Sequence, residues 1–196
     1  ELEVPDFKNN QEKMNAVLAV LSKIQHLLEG KNYFVISVNT DDVIYQAGFN
    51  SERIVTPCGG SQKLQCSVPC CEELYDHDQY VDGASGKIIN ACPQCGKPLQ
   101  YNNINADHYV ERGYLDQWQI YNQWLQGTLN KKLLLLELGV GMEYPSVIRF
   151  PFEKVTYFNQ KSELIRVHSK LYQVAEEITA RAISVNQHPF AFLLTQ

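Results

Sequence analysis

Long hydrophobic runs are missing from this sequence. No apolar stretch is long enough to span a bilayer, and no signal-peptide-like hydrophobic region occurs. A basic stripe is missing too. Lys and Arg number 17 against 22 Asp and Glu, a net charge of −5, which argues against nucleic acid as a partner. Internal repeats and low-complexity linkers are absent. The chain opens on Glu1 rather than Met, as expected of a processed chain or a fragment. What is present is ordinary globular composition: 196 residues, 44% apolar and 20% charged. That suits one domain, or one domain with a small inserted module.

Cysteine is scarce outside one region. Of six cysteines, Cys66, Cys70, Cys71, Cys92 and Cys95 cluster, and only Cys58 stands apart. Cys66-Ser67-Val68-Pro69-Cys70 and Cys92-Pro93-Gln94-Cys95-Gly96 form two close pairs separated by a polar insert. Each pair can turn two thiolates toward one point, which is the spacing of a zinc ribbon. Pro93 and Gly96 suit the second turn, where backbone N–H groups can also face the sulfurs. Four thiolates close the coordination sphere, so Cys66, Cys70, Cys92 and Cys95 predict structural zinc. Free buried thiols and disulfides are the alternatives. Paired spacing tells against the first, and the intracellular character of the rest against the second. A cytoplasmic location is the expectation.

The rest of the chain alternates helix and strand signals. Residues 8–29 read as an amphipathic helix, with Met14, Val17, Leu18, Leu21, Ile24 and Leu28 at helical spacing and Gly30 closing it. His26 reads as a surface residue. Tyr33 to Val38 reads as a strand buried on both faces. It ends in Asn39-Thr40-Asp41-Asp42, followed by a short helix over 43–47 and Gly48. Asn39, Asp41 or Asp42 could cap that helix, or the cluster could face a ligand at the strand's carboxyl end. Arg53 to Thr56 reads as a second strand running into the loop Pro57-Cys58-Gly59-Gly60. Residues 100–114 read as polar and irregular, and Leu115 to Leu125 as a helix with Trp118, Tyr121 and Leu125 on its packed face.

Lys132 to Leu138 is a second strand expected to be buried on both faces. It leads to Gly139-Val140-Gly141-Met142, two glycines that could cradle a phosphate, though this spacing alone is a weak motif. A helix is expected from Pro145 through Ile148, broken or kinked at Pro151. Leu164 to Val167 and Ala182 to Val185 read as strands. Pro189 to Leu194 reads as a closing helix burying Phe190, Leu193 and Leu194. The pattern predicts an α/β fold, a Rossmann-like doubly wound parallel sheet with an inserted zinc ribbon. The expected domains are 1–63 with 100–196, and the ribbon at 64–99. The loops 39–42, 57–60 and 139–142 are expected to converge on one crevice.

These motifs, in this order, resemble the sirtuins, the NAD-dependent protein deacylases and ADP-ribosyltransferases. The family's Thr-Gln-Asn-Ile-Asp is similar to Ser37-Val38-Asn39-Thr40-Asp41, and its following Ala-Gly to Ala47-Gly48. The zinc cysteines match Cys66, Cys70, Cys92 and Cys95. The family's Gly-Thr-Ser-Leu and later proline match Gly139-Val140-Gly141-Met142 and Pro145. The nearer likeness is to bacterial macrodomain-linked sirtuins. They share a Cys-Pro-x-Cys-Gly-Lys-Pro run like Cys92 to Pro98, a run identical to Leu136–Met142, and an Ile-x-x-Pro-Phe pattern like Ile148 to Phe152.

The resemblance implies NAD and structural zinc. It implies a transferase acting on a protein, with a lipoyl-carrier protein as acceptor and a macrodomain protein as partner, in an oxidative-stress response. It places Asn39 and Asp41 beside the nicotinamide and its ribose, where they would stabilise the developing oxocarbenium charge. Ser37, Gly139, Gly141 and His168 join them as cofactor residues. Cys71 is left spare. The sequence also departs from the pattern. Val38 replaces the family's Gln, Cys58 its general-base His, Ile104 the subgroup's Arg, and His168 a ribose-binding Asn. No Gly-Ala-Gly-x-Ser phosphate loop occurs, and an upstream segment is expected to supply it. The competing expectations are a catalytically degenerate nucleotide- or protein-binding module, and a redox-sensing zinc module using Cys58 or Cys71.

Overall fold

A computed structural model describes residues 10–83, 85 and 87–194. Residues 8 and 9 of the expected first helix lie outside the described residues. In chain order the elements are α1 (Asn10–Leu28), β1 (Val35–Ile36), α2 (Val43–Gln46), β2 (Ile54–Val55), β3 (Gly59–Cys66), β4 (Tyr75–Asp76), α3 (His77–Tyr80), β5 (Leu99–Asn103), α4 (Arg112–Gln126), β6 (Leu133–Leu138), α5 (Arg149–Phe158), β7 (Ser162–Val167), β8 (Ala182–Val185) and α6 (Pro189–Leu194). They fall into two compact units. One comprises Glu1–Asn32 with Gln123–Gln196, the other Tyr33–Asn122. The α/β class with parallel strands is as expected from the sequence.

The first unit is built on the parallel sheet β6-β7-β8. Leu135 pairs with Leu164, Glu137 with Arg166, and Ile165 with Ile183. Side chains alternate across a strand. Leu135 and Glu137 are therefore buried, whereas Leu134 and Leu136 are 57% and 37% exposed. The expectation that β6 is buried on both faces is thus corrected. Its covered face packs into a core of Leu135, Leu164 and Ile178, with Phe152, Val155 and Val174 around it.

Helix α5 overturns a second expectation. Residues 145–148 form a turn, and the helix begins at Arg149. Pro151 lies in its first turn, where a missing N–H costs nothing because that donor has no intrahelical partner. The proline helps to start the helix it was expected to break. Helix α1 follows its predicted stripe, with Met14, Val17, Leu18, Leu21, Ile24 and Leu28 half-buried and Val20 fully buried. Gly30 closes it at φ +70°, a backbone geometry that costs least without a Cβ. His26 is exposed, with Nδ1 2.6 Å from Glu29 Oε1. Helix α6 packs against α1 and buries Ala191 and Leu193, while Leu194 is exposed, contrary to expectation.

The second unit has a short parallel pair and an antiparallel sheet. Strands β1 and β2 pair through Val35 with Ile54 and Ile36 with Val55. Ser37 N–H extends the ladder to Val55 O at 3.0 Å. Strand β1 is shorter than predicted and only half-buried. Among the described residues its ladder has one partner, β2, so fewer neighbours cover it than a central strand would have.

The order β4-β3-β5 forms the second sheet. Strand β3 begins at Gly59, so only Pro57 and Cys58 of the expected loop remain a turn. Strand β5 lies within the stretch read as irregular. Gln, Asn and Tyr give it little apolar signal, and its stability comes from pairing. Asn102 Nδ2 donates to Gln65 Oε1 at 2.7 Å and to Val110 O at 2.9 Å, and Val110 N–H donates to Gln65 Oε1 at 3.0 Å. Both side chains are buried and satisfied. Leu64, Cys66, Cys92 and Leu99 form the core beneath. Helix α4 carries Trp118 and Tyr121 with ring centroids 5.2 Å apart, and Tyr121 is buried. Further along the same helix, Trp124 Nε1 donates to Asn32 Oδ1 at 2.7 Å.

Candidate cofactor loops and metal centre

Cys66, Cys70, Cys92 and Cys95 converge. Their sulfurs all lie within 4.8 Å of one another, with Cys66–Cys95 at 3.4 Å and Cys70–Cys92 at 3.7 Å. Zinc–sulfur bonds of about 2.3 Å in a tetrahedron put sulfurs about 3.8 Å apart, so the cluster fits one zinc ion. A disulfide needs about 2.05 Å, and none of the six cysteines is in one. The second turn is built as its sequence predicts: Gly96 sits at φ +71° and its N–H donates to Cys92 O at 2.8 Å.

Burial alone would push the Cys92 thiol up. The backbone N–H groups of Cys95 and Gln94, with the Tyr75 hydroxyl and Cys70, bring it down to about 6. Donors aimed at a sulfur favour the thiolate that a metal requires. Cys71 lies 3.5 Å from Cys70 Sγ and 3.8 Å from the Tyr75 hydroxyl, outside the four. Beside the first cysteine turn, a cleft of about 650 Å³ is lined by residues that include Cys71, Glu72, Tyr109, Glu111 and Leu115.

In the same unit, Ser37, Asn39 and Asp41 share the loop after β1. Ser37 Oγ accepts from Asn39 N–H at 3.2 Å, and Asp41 Oδ1 accepts from Val43 N–H at 3.1 Å. Asp41 therefore satisfies the first N–H of α2 from just before the cap position held by Asp42. Asn39 and Asp41 are both exposed, which leaves the Asn39 amide and the second Asp41 oxygen accessible.

Asp42, which the sequence offers as a cap or as part of a ligand-facing cluster, is the anchor of this loop. It is buried and adopts φ +56°, a left-handed conformation uncommon for a residue with a Cβ. Its Oδ2 accepts from Ser61 N–H at 2.5 Å, Ser61 Oγ at 2.9 Å and Gln62 N–H at 2.9 Å. Gly60 must be glycine here, because a Cβ would fall within the Asp42 carboxylate. Cys58, at the position of the family's general base, is 2% exposed. It is a packed residue, and Ile104 N–H donates to its carbonyl at 2.9 Å.

The first unit holds Gly139, Gly141 and His168. Gly139 has φ +70°, donates its N–H to Val167 O at 2.9 Å, and would bring a Cβ to 3.1 Å from Pro189 Cγ. Gly141 faces open space, with no heavy atom within 4 Å of a Cβ position. His168 follows β7. Its Nδ1 accepts from Lys170 N–H at 3.0 Å and Leu171 N–H at 2.9 Å, which leaves the proton on Nε2 in the neutral ring. Burial, then the charges of Arg149, His188 and Lys170, hold its pKa below the usual histidine value. It is therefore a neutral Nε2–H donor at pH 7.

Beneath these loops lies a charge cluster that the sequence did not announce. Arg166 donates to Glu137 through Nε at 2.6 Å and Nη2 at 3.0 Å, and through Nη1 to Glu153 at 2.6 Å. Arg149, also buried, donates to Val140 O at 3.2 Å, Leu171 O at 2.9 Å and Gln173 O at 3.2 Å. The only sequence signal was a lone Glu137 inside a leucine run.

No family model matches the chain. A protein ADP-ribosyltransferase of Staphylococcus aureus is 25% identical over 175 residues, covering 84% of this chain and 56% of that protein. A probable bifunctional ADP-ribose hydrolase/ADP-ribosyltransferase of Fusarium oxysporum f. sp. cubense is 28% identical over 154 residues, 70% of this chain and 26% of that protein. The chain thus spans about half the length of the first relative and a quarter of the second. Sir2 bound to a p53 peptide and NAD+ covers 91% of this chain and 67% of its own, with 15% identity and a TM-score of 0.56. The fold is that of the sirtuins. The cysteine cluster is consistent with the structural zinc expected from the sequence.

Proposed function

We propose that this sirtuin-fold chain carries out NAD-dependent ADP-ribosyl transfer to a protein. The observation that carries the reading is the exposed pair Asn39 and Asp41 on the loop after β1, in a chain whose curated relatives are named for that transfer. The open backbone at Gly141 fits a phosphate or ribose that must approach closely. NAD, when bound, would supply the ADP-ribosyl group, with nicotinamide as the leaving group.

The chain's own residues then have defined tasks. The Asn39 amide oxygen and the Asp41 carboxylate stabilise positive charge that develops on the ribose, and Asn39 orients the acceptor. Ser37 Oγ holds Asn39 N–H and so sets that loop. His168 Nε2–H donates to a ribose hydroxyl, and Gly139 and Gly141 leave room for ribose and phosphates. Zinc held by Cys66, Cys70, Cys92 and Cys95 is structural. The acceptor is a modified carrier protein, with a lipoyl carrier as the leading candidate and a macrodomain protein as associated partner. The 650 Å³ cleft beside Tyr109 and Glu111 is in the size range of sites for such a modified side chain.

A buried Cys58 in place of a histidine base favours transfer over deacylation. The same burial, with Ile104 in place of an arginine, favours a second reading as a nucleotide-binding module without turnover. Incubation with NAD separates the two. Transfer predicts nicotinamide release by the wild type that Asn39→Ala abolishes while leaving the melting temperature unchanged. A wild type that binds ADP-ribose but releases no nicotinamide would establish the binding module instead.

A further inference from the structure

We propose that Arg149 is a positioning residue that ties the Gly139–Gly141 loop to the segment after His168 and so sets the geometry of both. The use of that geometry for a nucleotide rests on the function proposed above. Three observations carry the assignment.

First, Arg149 is only 7% exposed although it opens helix α5, where an arginine would ordinarily reach solvent. Second, its guanidinium spends its donors on backbone carbonyls of two different loops. Nη1 donates to Val140 O, between the two glycines, and Nη2 donates to Leu171 O and Gln173 O. Leu171 N–H is in turn one of the two donors that fix His168 Nδ1. A chain of single contacts thus runs from the glycine loop through Arg149 to the histidine. Third, the cation is accommodated by a neutral set. Arg149 and Arg166 are matched by Glu137 and Glu153, and Arg166 Nη1 shares the Gln173 carbonyl with Arg149 at 2.7 Å. A planar fork of donors can serve carbonyls in two directions at once, which an ammonium on a flexible stem cannot do with the same geometry.

After burial, the charges of Arg149, His188 and Lys170 lower the His168 pKa, and Leu171 links His168 to Arg149, so the histidine reports on Arg149. The test uses the full chain, with R149K, R149Q and the charge-balanced pair R149Q/E153Q as a safeguard if R149Q alone does not fold. Two measurements are made below the melting temperature of each variant. Nitrogen-detected NMR titration follows His168, and calorimetry follows ADP-ribose binding.

In R149Q or the charge-balanced pair, the His168 titration is expected to move to higher pH and its Nε2–H tautomer to lose dominance. In R149K, the charge is kept and the fork lost. The tautomer signature is expected to broaden, and ADP-ribose affinity to fall about tenfold, the size of one charge-assisted hydrogen bond. Folded variants with the wild-type His168 titration and tautomer would overturn the assignment. If the wild type itself does not bind ADP-ribose, the nucleotide reading fails, while the His168 measurements still decide the role of Arg149.

Discussion

The two units anchor their candidate loops with buried ions of opposite sign. In the second unit a carboxylate, Asp42, gathers donors from the start of β3 and so fixes the loop carrying Asn39 and Asp41. In the first, a guanidinium, Arg149, gathers carbonyl acceptors from the loops carrying Gly139, Gly141 and His168. Each anchor lies close in sequence to residues with functional assignments, yet is itself hidden. An exposed polar side chain can be held by a buried charge that never meets a ligand. The units also differ in what completes their cores. The first has a three-stranded parallel sheet over apolar side chains. The second places Cys66 and Cys92 inside its core, so part of its interior is the metal site.

That difference can be broken most forcefully at the zinc. Metal binding in small zinc modules is worth about 10–16 kcal/mol. Chelation, or Cys92→Ser, is therefore expected to abolish amide-exchange protection in β3 and β5 while β6, β7 and β8 stay protected. Cys71→Ser should leave zinc content at one ion per chain. Equal loss of protection in both units would refute the division of labour.

Smaller effects are expected from the Asp42 anchor and from the charge cluster beside Arg149. Glu137→Gln leaves the buried Arg166 with only Glu153, and unpairing a buried ion costs about 3–5 kcal/mol. Asp42→Ala strands two backbone donors and puts alanine in a left-handed conformation that Asp tolerates better, a loss of about 2–4 kcal/mol. Urea unfolding should rank them in that order, and the reverse ranking would show the second unit's buried carboxylate to be the more important of the two.

The smallest effect is the pH dependence of the first unit. Burial and neighbouring cations depress the folded pKa of His168 below its unfolded value of about 6.5. Its contribution is therefore intact above that pH and lost as pH falls through the lowered folded value. Between pH 7.5 and 5 the wild type should lose more melting temperature than His168→Gln. Parallel curves would show that His168 does not titrate differently on folding.

Sequence reading succeeded where a single local signal decides structure. Strand β8 and helix α6 fall where apolar pattern placed them, and the paired cysteines name their own geometry. It failed where structure depends on partners distant in the chain. Strand β5 is legible only once Gln65 is seen to satisfy Asn102, 37 residues away. Pro151 carries the same local signal whether it ends a helix or begins one, and only the turn at 145–148 decides. Asp42 was in view, but nothing in a doublet of aspartates says which one is buried. Arg149 carried no signal, because a surface arginine and a buried one are spelled alike.

Helix α4 gives the molecule an optical asymmetry. The chain has two tryptophans, and the boundary at Asn122 and Gln123 separates them. Trp118 packs tilted against Tyr121 in one unit, whereas Trp124 Nε1 donates to Asn32 in the other. With Trp124→Phe or Trp118→Phe in hand, the emission of the remaining indole watches one unit at a time, so unfolding of each unit can be followed in its own variant.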